Sequence, residues 1–388
     1  MNVLAEYLSK LIRAQLENTK PALIPEEVTV EEIVQIAQKN HMNYLLLSPL
    51  LRTDNFPEDW LNAVKTKVLR SIMHTGVQVT ELKKIEKSFE ENGIACQPMK
   101  GARMKFYYPA PEMREMSDID ILIHKDSFDK AAEELKSMGY ILDESIKHHD
   151  IYKKPPHMVI EAHRAMYDKT VDYTQYEYFS NLSKAVLREG CSYIYDFTTE
   201  DFYLYMIAHM AKHFYAKGCG IRNIVDIYVY RKKFADVMDY KYVTEELAKL
   251  GLSTFTKHME TLAEIWLCGK EDDEFYDQLF EYMLDSGIYG KDENGIWNKF
   301  CEEQMKDKEP SRLQLKWWYW FPPLHYMSEY YPWLEEHPRL LPWAWVVRGV
   351  NGVFKKKGTD KRHMIKEIDQ ENIKIYQNIY HEMEFRFK

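Results

Sequence analysis

Apolar residues recur every three to four positions over the first part of the chain, which is the spacing of one face of an α-helix. Thr29 followed by Glu32 has the pattern of a capping box ahead of one such helix. Gly93 is of the residue type that commonly stands just past a helix end. The pattern therefore predicts a helical N-terminal subdomain over residues 1–93.

Beyond Gly93, short β-type runs alternate with helical ones as far as residue 171, after which the helical period returns and persists over 172–388. We expect an α+β fold, with a small mixed-sheet core over 94–171 between N- and C-terminal helical subdomains. The predicted strands are Ile94–Pro98, Asp118–His124, Tyr140–Leu142, His149–Lys153 and Met158–His163, and the predicted helices between them are Ala102–Tyr107 and Ser127–Met138.

The composition narrows the function classes. The formal net charge of -9 and the pI of about 5.9 provide no global basic field for nucleic acid, although a local basic groove stays open. The five cysteines lie far apart without a CxxC pair, which argues against a disulfide framework and a sulfur-rich zinc site and favours the cytoplasm. No run approaches the roughly 18 to 20 apolar residues of a membrane span, and the first residues lack the pattern of a signal peptide.

Two acids alternate with large apolar residues in the predicted strand Asp118–His124. The two-residue period of a strand places Asp118 and Asp120 on one face and Ile119 and Ile121 on the other. Two adjacent carboxylates are unfavourable unless a positive group lies between them, and a divalent cation is the usual one. An isolated pair of this kind is, however, more often the solvent face of an edge strand.

A third acid and a turn with a lysine and a glycine favour a cation site over the solvent face of an edge strand. Glu161 lies in another predicted strand and offers the further carboxylate that two cations roughly 3.5 to 4 Å apart require. Lys100 and Gly101 follow the first strand, where a glycine lets the backbone approach a triphosphate and the lysine supplies positive charge. Taken alone, such a lysine and glycine are commonly only a turn.

The ordered set resembles the DNA polymerase β-like nucleotidyltransferase superfamily, and within it a bacterial branch of largely uncharacterised nucleotidyltransferases. The resemblance is carried by MKGARMKFYYPAPEMREMSDIDILI, VIEAHR and HMAKHFYAKGCGIRNIVDIY, and spans roughly residues 95–230. It implies that Gly101 opens a phosphate loop and that Asp118 and Asp120 hold two Mg²⁺ ions, with Mn²⁺ as an alternative. It also implies that Glu161 completes the metal site and is the candidate general base.

The sequence departs from the superfamily at two points. Gly101 is followed by Ala102 where a serine or second glycine is usual, and Lys100 or Ser117 would have to replace the lost phosphate contact. The third acid is Glu161 where an aspartate is more common, which lengthens its reach by one methylene group.

Several other residues are candidates for contacts with the nucleotide. Arg114 offers planar bidentate donors for a phosphate, or is a surface arginine of the loop. His163 shares the strand face of Glu161 and is either a substrate contact or a half-buried histidine bonded to the backbone. The resemblance implies that a later helix with Lys212 and His213 faces the cleft and contacts nucleotide or acceptor.

Three further features have simpler interpretations. His209 and His213 are four residues apart but lack the further ligands of a zinc site, so a packing and substrate-contact role is expected for His213. Arg222 and Asp226 have the spacing of a structural ion pair. The aromatic stretch 317–345 has the composition of a membrane-surface or partner-binding element, but core packing is the favoured interpretation.

These observations support three hypotheses. The first is an enzyme that moves a nucleoside monophosphate from a nucleoside triphosphate, such as ATP, to a hydroxyl group of a small-molecule or protein acceptor and releases pyrophosphate. The second is a toxin-like nucleotidyltransferase acting on tRNA, which the acidic composition disfavours. The third is a catalytically inactive binding scaffold, against which the three retained acids argue.

Overall fold

The computed structural model describes residues 1–146, 148–169, 173–291, 294, 317, 318, 320–354 and 370–384. The predicted α+β architecture is confirmed: one mixed sheet lies among helices that precede and follow it in the chain. The helices are α1 Val3–Leu16, α2 Val30–Lys39, α3 Asn43–Leu50, α4 Leu61–Glu91, α5 Lys100–Met104, α6 Phe128–Ser137, α7 Tyr173–Tyr178, α8 Thr199–Lys217, α9 Arg222–Phe234, α10 Tyr240–Lys249, α11 Ser253–Cys268, α12 Glu274–Ser286, α13 Leu324–Tyr330, α14 Trp333–Glu336, α15 Leu341–Phe354 and α16 Gln370–Glu382.

The sheet has five strands in the order β1-β2-β5-β4-β3. Strands β2 and β5 pair in parallel, and the other neighbours pair antiparallel. The strands are β1 Cys96–Pro98, β2 Ile119–Ile123, β3 Ile141–Ile146, β4 His149–Lys154 and β5 Met158–His163. All five were expected, but β3 continues four residues further than predicted, because it is an edge strand with exposed side chains and lacks the apolar alternation that marks a strand in sequence.

Two local predictions need correction. The helix expected over Ala102–Tyr107 begins earlier, as α5, and tightens into a 3₁₀ turn over Lys105–Tyr107. The region after residue 172 is not uniformly helical, since β6 Ala185–Leu187 and β7 Tyr195–Phe197 form a two-stranded sheet. These strands are too short to show a period of their own, and β7 packs beside β1.

The helix starts and ends follow local sequence signals. Thr29 caps α2 in a capping box with Glu32, as predicted. Gly93 follows α4 with a positive φ of 65°, a conformation that favours glycine. Helix α4 is 31 residues long and reaches two hydrophobic cores, with Val64 and Val68 in one and Leu82 in the other.

The helices that precede the sheet in the chain share a hydrophobic core with helices that follow it. Residues of α1, α2 and α3 pack in one apolar cluster with residues of α8, α9, α11 and α12. A second cluster lies between the sheet and helices α4 and α6. The divisions at 93 and 171 remain predictions, and the shared cluster joins the first helices to the last ones around the sheet.

The aromatic stretch forms a small cluster of its own in the described residues. Trp318 is buried with Tyr326, Met327 and Leu334, as core packing predicts. In contrast, Trp317, Trp320, Phe321 and Trp343 are 40% to 69% exposed, so core packing describes only part of the stretch. Tyr319, which belongs to this stretch, lies outside the described residues. Among the described residues, no helix has the length and apolar character required to cross a bilayer.

Candidate active site

The predicted acids meet on one face of the sheet. Asp120 of β2 is the register partner of Glu161 in the parallel strand β5. Asp118 precedes β2 by one residue and faces the same cleft as both acids. The opposite face carries Ile119 and Ile121, which are 0% and 1% exposed and pack in the core under the sheet. The two-residue period therefore directs the acids to the cleft by burying their neighbours.

The carboxylates perturb one another. Burial, followed by the charges of Asp120 and Glu161, raises the pKa of Asp118 to about 7. Burial also disfavours the charged form of Asp120, but Lys100 and His163 outweigh it and hold the pKa of Asp120 below its usual range. The hydrogen bond from His163 lowers the pKa of Glu161. Negative charge is thus concentrated here beyond what the nearby cations neutralise.

His163 lies under the acids and does not line the cleft. Its Nε2 donates to Asp120 Oδ1 over 2.8 Å and lies 3.3 Å from Glu161 Oε2. The side chain is 6% exposed, and the contacts with the two carboxylates raise its pKa against the effect of burial. The structure therefore shows His163 as a support for the acids, which neither of the two sequence-based interpretations describes.

The turn between β1 and α5 places Lys100 against the same acids. Lys100 has a φ of 44°, an uncommon conformation for a residue with a side chain, and its Nζ lies 2.9 Å from Asp120 Oδ1. Gly101 has no such φ, and its role is close packing: a Cβ there would lie 2.6 Å from Arg114 Nη1 and 3.0 Å from Met116 Cβ. The strained residue of this turn is the lysine and not the glycine.

A cavity of about 320 Å³ separates the acids from a wall made by α8, α9 and the segment after α12. Ser117 lies at its rim, where its Oγ is 2.7 Å from the Tyr289 hydroxyl and 3.3 Å from His41 Nδ1. The wall side contributes the residues Phe202, Tyr205, Met206, His209, His213, Cys219, Arg222, Asn223, Asp226, Ile288 and Tyr289.

The predicted Arg222–Asp226 ion pair is wrong. Asp226 instead accepts from Arg114, with Nη2 3.0 Å from Oδ2 and Nε 3.3 Å from Oδ1, and also from the Tyr108 hydroxyl. Arg222 is turned the other way on α9 and donates through Nη1 to the Glu115 carbonyl over 2.9 Å. The i, i+4 spacing cannot compete with the buried bidentate geometry available to Arg114.

Arg114 and Arg222 consequently differ in what they offer a ligand. The planar donors of Arg114 are directed at Asp226, and the side chain is 9% exposed. Arg222 lines the cavity, and its buried Nε has no hydrogen-bond partner among the described residues. Burial and the charge of Arg114 lower the pKa of Arg222 to about 10, so its guanidinium remains charged at neutral pH and has a surplus donor.

Helix α8, which the resemblance places at the cleft, faces the cavity with two histidines, while Lys212 lies against an aromatic ring. His209 and His213 of α8 line the cavity and lie close together, with their Nε2 atoms 2.9 Å apart. Lys212 is one residue away on the helix, and its Nζ lies 5.3 Å from the centre of the Tyr167 ring. Burial lowers the pKa of His209 well below its ordinary value, so it is neutral at physiological pH.

Sequence reasoning missed two residues at this site. His149 of β4 is the register partner of His163, and its Nε2 lies 3.9 Å from Glu161 Oε2. Tyr289 reaches Ser117 from a loop 172 residues further along the chain. The predicted strand His149–Lys153 already contained His149, and the antiparallel pairing would have shown which face of the sheet His149 lies on. Nothing in the sequence signals Tyr289.

The donor set at the sheet fits a hard divalent cation. Such ions take carboxylate oxygens as ligands, and Asp118, Asp120 and Glu161 present these on one face of the sheet. Burial and mutual repulsion together raise the pKa of Asp118, and a bound cation would relieve the repulsion. Such an ion would polarise a phosphoryl oxygen and neutralise the charge of a phosphate ester.

A mixed sheet with three clustered acids facing a half-enclosed cavity defines the class of enzymes that act on phosphate esters. Within that class, the chain belongs to the family described as uncharacterised nucleotidyltransferase, whose model matches residues 26–268. The chain is therefore a transferase of nucleotidyl groups.

Other comparisons add little to this assignment. No protein of curated function matches the sequence. Two solved structures align with 50% of the chain, each at 12% identity and a TM-score of 0.26. They are the solution structure of the antibiotic-resistance factor ANT(2'')-Ia, of which 91% is covered, and the crystal structure of ANT(2'')-Ia in complex with adenylyl-2''-tobramycin, of which 98% is covered.

Proposed function

We propose that this protein transfers a nucleoside monophosphate from a nucleoside triphosphate to a hydroxyl group of a small-molecule or protein acceptor and releases pyrophosphate. The observation that carries the proposal is the convergence of Asp118, Asp120 and Glu161 on one wall of a cavity whose other wall presents cationic and aromatic side chains. A triphosphate needs both walls, because its charge requires cations and its base requires an apolar or aromatic surface.

Each acid has a role in this proposal. Asp118 and Asp120 would hold two Mg²⁺ ions, or Mn²⁺ in their place, with Glu161 as the third carboxylate ligand. Such ions would neutralise charge on the phosphate of the transferred nucleotidyl group. Glu161 is also the candidate general base, because it is ionised at neutral pH and lines the cavity beside Asp120.

The phosphates are proposed to lie between the β1–α5 turn and α9. Lys100, Gly101 and Ser117 all line the cavity at this point. Arg222 is a better phosphate ligand than Arg114, because it lines the cavity and donates to a backbone carbonyl, whereas the fork of Arg114 is directed at the Asp226 carboxylate. Arg114 then contributes by fixing α9 against the loop that carries Ser117.

The chemistry requires one bond to form and one to break at the α-phosphorus. The acceptor oxygen bonds to phosphorus, the bond to the β-phosphate oxygen breaks, and the acceptor proton passes to Glu161. Lys100 and Arg222 are placed to stabilise the charge that develops on the leaving pyrophosphate. His213 and Lys212 on α8 are proposed to contact the nucleotide or the acceptor on the far side of the cavity.

The test is incubation with each α-labelled nucleoside triphosphate and Mg²⁺, scored for pyrophosphate and for label on the protein, on added tRNA and on the small molecules of a cell extract. We expect label in the small-molecule or protein fraction, and none with the double variant Asp118→Asn/Asp120→Asn. Asp126→Asn is the matched control, because Asp126 is an exposed carboxylate outside the cavity.

The outcomes separate the three hypotheses. Label on tRNA would identify the acceptor as RNA and overturn the assignment of a small-molecule or protein acceptor. Absence of transfer and of nucleotide binding with either Mg²⁺ or Mn²⁺ would favour the binding scaffold. Transfer that survives in the double variant would show that the chemistry lies elsewhere in the chain.

A further inference from the structure

Two histidines accompany Glu161 on the cleft face of the sheet. His163 is two residues beyond Glu161 on β5, so the strand period gives both the same face. His149 lies directly opposite His163 in the antiparallel pair of β4 and β5. Directly opposed residues have Cβ atoms about 4.5 to 5.5 Å apart, close enough for their side chains to share one ligand.

The three donor atoms converge to metal-binding distances. Glu161 Oε2 lies 3.3 Å from His163 Nε2 and 3.9 Å from His149 Nε2, and one ligand atom from each of the three residues falls within 4.8 Å of the others. An ion with bonds of roughly 2.0 to 2.2 Å to each atom holds tetrahedral ligands roughly 3.3 to 3.5 Å apart. Small rotations of side chains would therefore bring this set to the geometry of one bound ion.

In the described part of the chain, each of the two histidines has one ring nitrogen without a partner, while His163 Nε2 is bonded to Asp120. The Nδ1 atoms of His149 and His163 are buried and without a hydrogen-bond partner among the described residues. Their side chains are 12% and 6% exposed, with ring centroids 5.0 Å apart. A buried polar atom without a partner destabilises the fold. Among the described residues, the two rings contact polar groups through Nε2, at the carboxylates.

The ligand types indicate the kind of ion. Mg²⁺ prefers carboxylate, carbonyl and water oxygens, whereas imidazole nitrogen suits Zn²⁺ and other first-row transition ions. Two imidazoles and one carboxylate are a ligand set of catalytic zinc sites that keep a further position open. Lys100 pairs with Asp120. Among the described residues, no lysine or arginine forms a salt bridge with Glu161.

We propose that His149, Glu161 and His163 bind one divalent transition-metal ion, with Zn²⁺ as the preferred ion, beside the Mg²⁺ positions at Asp118 and Asp120. The inference rests on the proposed function in that both use Glu161, and it assigns Glu161 to the transition-metal ion in place of Mg²⁺. The ion that Glu161 holds then has nitrogen ligands, and the two sides of the site differ in the metals they select.

The experiment measures metal binding without nucleotide. The tag-free full-length chain is stripped with a chelator, Zn²⁺ binding is measured by equilibrium dialysis, and Co²⁺ is added separately as a spectroscopic probe of nitrogen ligation. We expect one Zn²⁺ per chain and a visible Co²⁺ absorption band. His149→Ala and Glu161→Gln should each weaken Zn²⁺ binding at least tenfold and remove the band.

His148→Ala is the matched control. His148 neighbours His149 in the sequence and in space, with ring centroids 4.6 Å apart, but is outside the ligand set. Its variant should bind Zn²⁺ as the unaltered chain does. Equal loss in His148→Ala and His149→Ala, or no Zn²⁺ binding by the unaltered chain, would overturn the proposal. Thermal melts and circular dichroism identify any variant that has failed to fold, and His149→Asn then replaces His149→Ala.

Asp118→Asn separates this proposal from the proposed function. It should bind Zn²⁺ normally, because Asp118 is outside the ligand set, while it fails to transfer nucleotide. Zn²⁺ binding without any transfer by the unaltered chain would refute the proposed function alone. Transfer without Zn²⁺ binding would refute the metal proposal alone, and loss of Zn²⁺ binding in Asp118→Asn would overturn the choice of ligands.

Discussion

The clustering of acids has a cost that one substitution should reveal. Asp118 has a pKa of about 7 in the folded chain against an ordinary value of 3.8, because burial and the charges of Asp120 and Glu161 disfavour its ionised form. We predict that Asp118→Asn makes the metal-free protein more stable at neutral pH while it removes nucleotidyl transfer. The amide has nearly the same shape as the carboxyl group and no charge to desolvate.

The magnitude follows from the pKa values. One pKa unit corresponds to about 1.4 kcal/mol, so a shift from 3.8 to about 7 sets an upper value of about 4 kcal/mol, which water in the cleft reduces. Since the folded-state pKa is raised, the stability of the unaltered chain relative to the variant is greatest below pH 3.8. That relative stability falls as pH rises to about 7 and is constant above it.

The assay is urea unfolding with a chelator present at pH 5 and pH 8, compared with the unaltered chain and with the exposed control Asp126→Asn. The variant should gain more stability at pH 8 than at pH 5, and the control should change little at either pH. Added Mg²⁺ should narrow the gap, because it binds only the chain with all three acids. A gain that is independent of pH, or no gain at pH 8, would show that repulsion between these acids is not significant.

Three further predictions concern the turn and its neighbours. Lys100→Met should lower kcat about a hundredfold with little change in KM, because in our proposal Lys100 stabilises the leaving group. A fall in kcat of less than threefold in steady-state kinetics would contradict this. Gly101→Ala should destabilise the fold by about 1 to 3 kcal/mol in urea unfolding, because its Cβ would lie 2.6 Å from Arg114 Nη1. Gly76→Ala, on α4 with open space around it, is the control and should be neutral or stabilising. Arg114→Lys should cost about 2 to 4 kcal/mol in the same assay by breaking the buried bidentate pair with Asp226, and an unchanged unfolding midpoint would refute that role.

The sequence predicted the elements whose side chains alternate between two environments. Strand β2 was recognisable because Ile119 and Ile121 are buried while Asp118 and Asp120 face the cleft. Strand β3 was predicted too short, because both of its faces are exposed and no alternation marks it. Periodicity reports a difference in environment, so it cannot reveal an element whose two faces are alike.

Pairings between distant residues could not be predicted in the same way. Arg114 and Asp226 are 112 residues apart, and the nearer Arg222 was the obvious partner for Asp226 by helical spacing. The actual partner, Arg114, depends on how α9 packs against the loop before β2. A single sequence gives no information about that packing. His149 was closer to recognition, because its place opposite His163 follows once β4 and β5 are known to pair antiparallel.

The register of β5 ties the chemistry of the site to the packing of the core. Glu161 lies opposite Asp120, while Ile160 and Ala162 on the other face are 0% and 1% exposed. A slip of one residue would turn Glu161 and His163 into the core under the sheet and move these two apolar side chains to the face of the acids, and the lost hydrophobic free energy forbids it. The unfavourable proximity of the carboxylates is therefore maintained by apolar contacts on the opposite face, which need no ligand to form. A bound cation would release repulsion that the core has already imposed, so the fold, and not a metal, sets the position of the acids.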